Sequence, residues 1–205
     1  MQKIVRHYFD YKSPYAYLAQ AANQALAAVP GVTVECLPYT LQIGKYLGEA
    51  SLDDAGNDIL GTRNDHQWRR VRYAYRDCRR EANRRGLVIR GPRKIFDSSL
   101  AHIAFLFVRE QGDPRPFHDA CFERFWRREL DLEAIAALTA LMVETGFDAA
   151  AFEAYANGAG RVVHDRIQHE AEAQGVFGVP SWLVDGDLYW GLERLERVYE
   201  KLSTG

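Results

Sequence analysis

Apolar and polar residues alternate over residues 3–9, a stretch rich in Ile, Val, Tyr and Phe, and this pattern predicts a β-strand. Ser13 and Pro14 come next. A hydroxyl residue before proline is how a helix opens, because the serine oxygen accepts an orphan amide hydrogen and proline has none to leave unsatisfied. Tyr15, Leu18, Ala22, Leu26 and Val29 then recur at steps of three and four, so a helix with one apolar stripe runs from Pro14 until Pro30-Gly31 stops it. Alternation returns over 32–37, a second strand. Strand, helix and strand so close together form a βαβ unit, with parallel strands and a right-handed crossover. The tip of the first strand and the start of the helix therefore share one edge of the sheet.

Residues 44–65 are rich in Gly, Asp and Asn and predict a loop with at most a short helix. Helical periodicity takes over at 67–85 and continues through 98–110, 116–128, 132–145, 149–156 and on to about residue 174. Strand character comes back at 181–184 and 187–190 around Asp185-Gly186, a strong hairpin signal, and an amphipathic helix over 192–202 follows. The order βαβ, helical block, ββα is an α/β layout, that of a thioredoxin-like fold with an all-helical insertion domain. Residues 1–60 and 171–205 are assigned to the thioredoxin-like part and residues 61–170 to the insertion.

Composition narrows the function only by exclusion. The 205 residues are 47% apolar with a formal net charge of −2, so no global field favours nucleic acid or an acidic membrane surface. No segment reaches the length of a membrane span, and the opening MQKIVRHYFD lacks the apolar run of a signal peptide, so a cytoplasmic protein is expected. One segment stands apart: between Arg63 and Lys94 lie twelve basic residues against three acidic ones. It reads first as a solvated helix face and second as an anion or partner surface.

Cys36, Cys78 and Cys121 are odd in number and widely spaced, which argues against a disulfide framework or a zinc site and for packing thiols. The six histidines are scattered, His164 and His169 being five apart on one predicted helix, and read as surface or amide-satisfying residues with no metal to hold. The aromatic set Phe117, Phe122, Phe125 and Trp126 reads as core, with part of it available to wall an apolar pocket.

Two segments carry candidate chemistry: Phe9-Asp10-Tyr11-Lys12-Ser13-Pro14-Tyr15 and Phe177-Gly178-Val179-Pro180. With the run Gly175 to Asp187 and the stretch Tyr189-Trp190-Gly191-Leu192-Glu193-Arg194-Leu195, they resemble 2-hydroxychromene-2-carboxylate isomerases and their relatives, the kappa-class glutathione transferases and DsbA-like proteins. Where DsbA-type oxidoreductases carry C-x-x-C, this chain has Ser13-Pro14-Tyr15-Ala16, so dithiol exchange is excluded. A serine at a helix N-terminus can instead hydrogen-bond an incoming thiolate, and the resemblance implies that the sulfur comes from glutathione.

The resemblance implies further roles. Ser13 would be catalytic, and Ser13, Val179, a cis Pro180, Trp190, Gly191, Leu192 and Glu193 would bind glutathione, Leu192 only through its backbone. Lys45 and Asn64 match the family's substrate-binding lysine and asparagine and would suit a carboxylate and a carbonyl. Asp65 and the length of the 48–60 loop depart from the family pattern. The implied function is a glutathione-dependent isomerase of an aromatic-degradation intermediate, acting as a homodimer on a small aromatic molecule. The alternatives are a kappa-like glutathione transferase or peroxidase, and a catalytically inactive DsbA-like binding protein.

Overall fold

In the computed structural model, which describes residues 2–204, four strands form one sheet in the order β2-β1-β3-β4. Strand β1 (Lys3–Phe9) leads through helix α1 (Pro14–Ala27) to β2 (Val32–Pro38), and the strands run parallel from Lys3 opposite Val32 to Phe9 opposite Pro38. The late strands β3 (Ser181–Val184) and β4 (Asp187–Trp190) pair antiparallel, and β3 lies antiparallel along β1 with Tyr8 opposite Ser181. Asp185 and Gly186 both take positive φ, 50° and 86°, the backbone that a two-residue turn needs to match the twist of its strands.

Between the two halves of the sheet come α2 (Ile43–Leu47), α3 (Asp65–Arg84), α4 (Ser99–Gln111), α5 (Arg115–Arg127), α6 (Ile135–Glu144), α7 (Phe152–Asn157) and α8 (Ala159–Ala173). The architecture is the expected thioredoxin-like sheet with added helices. Boundaries shift where a side chain captures the chain before the helix can start. Asp131 accepts the amide hydrogen of Glu133, holding Ala134 extended and delaying α6 to Ile135, and Asp148 accepts that of Ala150 ahead of α7. The expected helix over 192–202 is split. Gly191 at φ 96° opens a 3₁₀ turn over Leu192–Arg194, and α9 (Leu195–Ser203) follows.

Two apolar clusters hold these layers. Val5, Ala19, Leu26, Trp182, Val184 and Val198 join the sheet to α1 and α9, and the buried Trp182 indole donates to Asn23 Oδ1 at 2.8 Å. The larger cluster joins the tip of β1 to α4 and α5, with the Phe9 ring set among Tyr11, Phe105, His118 and Phe122. Phe117, Phe122, Phe125 and Trp126 are buried there. They form core alone and do not line the cavity described below.

The reading of the histidines needs correction. His7, His102, His118 and His164 are buried, and three of them meet hydroxyl groups: Tyr11 for His118 and Thr40 for both His102 and His164. Helical periodicity does not reveal this, because these hydroxyl contacts join residues distant in the chain. The cysteines pack as expected. Burial pushes the Cys36 and Cys78 thiols up to about 12 and that of Cys121 well above the ordinary thiol value.

Candidate active site

The turn joining β1 to α1 is built by Asp10. Its carbonyl accepts the Ser13 amide hydrogen at 3.0 Å, and its Oδ1 accepts that of Lys12 at 3.1 Å. Its Oδ2 accepts the Leu41 amide hydrogen at 2.8 Å, tying the exit of β1 to the exit of β2. Ser13 is thereby set at the N-cap of α1, where its Oγ accepts the Ala16 amide hydrogen at 3.3 Å. Pro14 has no amide hydrogen, and that of Tyr15 has no acceptor among the described residues. One free donor and the positive end of a 14-residue helix meet at Ser13, a setting that favours an anion.

A cavity of about 1040 Å³ opens over this helix start. Ser13 and Tyr15 form one wall, and Phe177, Gly178, Val179 and Trp190 face them. The Val179–Pro180 bond is cis, and neither backbone polar group of Val179 is hydrogen-bonded among the described residues. A Cβ at Gly178 would lie 2.6 Å from Trp190 Nε1, so any side chain there would displace the indole. Phe177 packs against Trp190 with ring centroids 4.9 Å apart, giving the rim an aromatic lip.

The sequence-predicted residues separate into three groups. Ser13, Val179 and Trp190 line the cavity, with Pro180 buried directly behind Val179. Gly191, Leu192 and Glu193 form the next turn of chain, anchored by a hydrogen bond of 2.9 Å from the Gly191 amide to the Pro180 carbonyl. There Glu193 is exposed, its carboxylate folded over Gly191, and Leu192 packs against both apolar clusters. Lys45 and Asn64 do not line the cavity, although their neighbours Tyr46 and Arg63 do. Asn64 instead caps α3: its Oδ1 accepts the Gln67 amide hydrogen while Gln67 Oε1 accepts that of Asn64, both at 2.9 Å.

The far wall was legible only as a basic run. Arg63 lies over Trp68 at 4.9 Å, Arg79 over Tyr75 at 5.7 Å and Lys94 over Phe96 at 4.6 Å, all lining the cavity. Arg70, Arg72 and Arg76 line it too, with no acidic partner among the described residues, as does Arg80, which is paired with Asp77, while Arg84 further along α3 is paired with Glu81. The cavity side of α3 is therefore aromatic and cationic, with most of its arginines unpaired. Tyr15 braces this wall against α1 by donating to Asp77 Oδ2 at 3.1 Å.

Lys12 is the residue that sequence reading passed over. Its ammonium is buried, 3.3 Å from Asp10 Oδ2 and 3.0 Å from Ser98 Oγ, and the residue lines the cavity next to Ser13 in sequence. Burial alone would push the Asp10 carboxyl up, but interactions led by the Lys12 charge hold it well below the ordinary carboxylate value. His102 Nε2 sits 3.3 Å from Asp10 Oδ1 without an aligned hydrogen bond, and burial lowers its pKa despite that carboxylate.

Among the described residues no group of three His, Cys, Asp or Glu side chains could hold a metal ion, and no helix is long and apolar enough to cross a membrane. Comparison with known proteins places the geometry in context. Residues 4–203 match the family model described as a DSBA-like thioredoxin domain. Among curated proteins, the 2-hydroxychromene-2-carboxylate isomerase of Sphingobium xenophagum is 29% identical over 197 residues, 96% of each chain, and that of Pseudomonas putida is 28% identical over 195 residues, 94% of this chain and 90% of its own. Among solved structures, a 2-hydroxychromene-2-carboxylate isomerase superposes with a TM-score of 0.73 at 23% identity, covering 98% of this chain and 94% of that one. The cytosolic disulfide reductase DsbM of Pseudomonas aeruginosa, solved with GSH, superposes at 0.62 with 15% identity, covering 98% and 96%.

Proposed function

The chain belongs to the DSBA-like thioredoxin-domain family, and from that membership we propose that it is a glutathione-dependent isomerase of an aromatic-degradation intermediate of the 2-hydroxychromene-2-carboxylate type. The observation that carries this reading is Ser13, which stands at the start of α1 and lines the same cavity as Val179 while all three cysteines of the chain lie away from that cavity. A thiol chemistry at this position needs a thiol brought by a ligand. The names of the curated relatives supply the reaction, and the DsbM structure with GSH supports the ligand.

The residues present fit glutathione. Val179 offers an unpaired backbone donor and acceptor, as an extended peptide requires, and the Tyr15 amide and Ser13 hydroxyl offer donors to an anionic sulfur. Trp190, Gly191, Leu192 and Glu193 would hold the remainder, with the Glu193 carboxylate suited to an ammonium group. Bound glutathione would supply a nucleophilic sulfur for reversible addition to the conjugated substrate.

Ser13 would stabilise the charged sulfur by donating its hydroxyl hydrogen while its oxygen still accepts from Ala16, so one side chain serves both the helix and the site. Trp68, Tyr75 and Phe96 would enclose an aromatic ring, and the unpaired Arg70 and Arg76 would take its carboxylate. Lys45 and Asn64 would reach the substrate only if the loop they border moved, so the arginines are the better carboxylate partners in this conformation.

The test is glutathione titration followed by Trp190 fluorescence, then turnover of 2-hydroxychromene-2-carboxylate with and without glutathione. Saturable binding and glutathione-dependent isomerisation, both lost or sharply reduced in Ser13→Ala, are expected. Absence of binding at millimolar glutathione overturns the reading in favour of a binding module. Binding with conjugation of electrophiles but no isomerisation would make it a transferase instead.

A further inference from the structure

We propose that Lys12 sets the acidity of the thiol bound at Ser13: its buried ammonium, backed on its inner side by Asp10 and Ser98, turns an ion pair into a dipole with its positive end toward the cavity. The inference rests on the reading that glutathione occupies this site.

The arrangement argues for more than a structural pair. Asp10 is buried, and its oxygens are engaged by the amide hydrogens of Lys12 and Leu41 and by the Lys12 ammonium. Lys12 lines the cavity, and only Asp10 and Ser98 lie within reach of its ammonium among the described residues, so one of its three N–H donors has no partner. Burying a lysine with a donor left over is costly unless another group takes it up. The Ser13 hydroxyl has a single hydrogen, and a thiolate bound there would gain both a charge and a donor from the adjacent residue.

The other titratable groups around Lys12 do not cancel its field at the cavity. From α4, His102 stands on the far side of Asp10 and is held neutral by burial. From the segment before α4, Asp97 is held ionised with its carboxylate accepting the Ser99 amide hydrogen at 2.9 Å, and Arg161 of α8 shares that charge with Lys12. From α2, burial pushes the Tyr46 phenol up to about 12, so it stays neutral.

The experiment reads the thiol itself. The ultraviolet thiolate absorbance of the protein–glutathione complex is titrated against pH in the wild type, in Lys12→Met and in Lys12→Met/Asp10→Asn, the last sparing the carboxylate from being buried alone if the single variant fails to fold. The wild-type complex is expected to ionise below free glutathione, and both variants at least about one pH unit higher than wild type, a tenfold loss of thiolate at fixed pH. A purely structural role would lower thermal stability and leave this titration where it was. Variants that bind glutathione with an unchanged thiol pKa overturn the inference, as does a wild-type complex that ionises no lower than free glutathione. A wild type that shows no saturable binding removes the underlying reading instead.

Discussion

Trp190 lies over Gly178 so closely that its indole nitrogen occupies the space of the side chain Gly178 lacks: a Cβ there would come to 2.6 Å from it. The two residues are twelve apart, Gly178 before β3 and Trp190 at the end of β4, and together with Phe177 they make the lip of the cavity. Gly178→Ala should therefore turn Trp190 off Phe177. Because the indole is half exposed, the fold should lose little, under about 1 kcal/mol, while glutathione affinity falls roughly tenfold, about 1.4 kcal/mol. Tryptophan fluorescence and a binding isotherm read the two effects separately.

Acid should loosen the fold earlier than its carboxylates require. Burial lowers the pKa of both His7 and His118 from the usual 6.5 to about 3, partly offset at His7 by the Ser181 backbone. The unfolded chain takes up these two protons near pH 6.5 and the folded chain does not, so stability is lost as pH falls from about 6.5 towards 3. Each histidine contributes about 1.4 kcal/mol per pH unit in that window. His7 Nδ1 has no hydrogen-bond partner, so His7→Leu should flatten the slope by about half at small cost at pH 8. Urea unfolding at several pH values measures both.

Thr40 holds two buried rings at once, with its Oγ1 2.8 Å from His102 Nδ1 and 2.9 Å from His164 Nε2. The isosteric Thr40→Val leaves both nitrogens without that partner. The expected loss is about 1–3 kcal/mol for each buried group stranded, well above what the change of shape alone would cause, and chemical denaturation checks it.

The cysteines should be silent in the native protein. With Cys36 and Cys78 pushed up to about 12 and Cys121 raised well above the ordinary thiol value, a disulfide reagent at pH 8 should label none of the three quickly and all three after denaturation. A fast-reacting thiol in the folded state would contradict both the packing role and the need for an external sulfur.

Removing the Tyr15 hydroxyl should separate substrate from cofactor effects. Its bond to Asp77 braces α3, the cationic wall, against α1. Tyr15→Phe is expected to cost about 1 kcal/mol of stability and to raise KM for the aromatic substrate more than it weakens glutathione binding. Equal losses in both would show that the wall does not act separately.

What the chain discloses without its structure is whatever depends on neighbours in sequence. Alternation over Lys3–Phe9, the Ser13-Pro14 helix start, the Asp185-Gly186 turn and the helical middle each rest on local sterics and local hydrogen bonds, and the element order they imply is the one observed. The Ser13 and Val179-Pro180 segments were visible as motifs for the same reason, and the missing cysteine at the helix start already pointed to a borrowed thiol.

The tertiary structure decided the rest. Nothing near Lys12 in sequence announces that Ser98, 86 residues away, accepts from its ammonium, or that Thr40 will bridge His102 and His164. Nor does a basic run say which arginines of α3 line the cavity and which find acidic partners. Charge burial and cavity walls are made by residues that meet only after the chain has closed on itself. Their energies depend on the solvent each contact excludes, a property of the packed molecule and of no local stretch of its sequence.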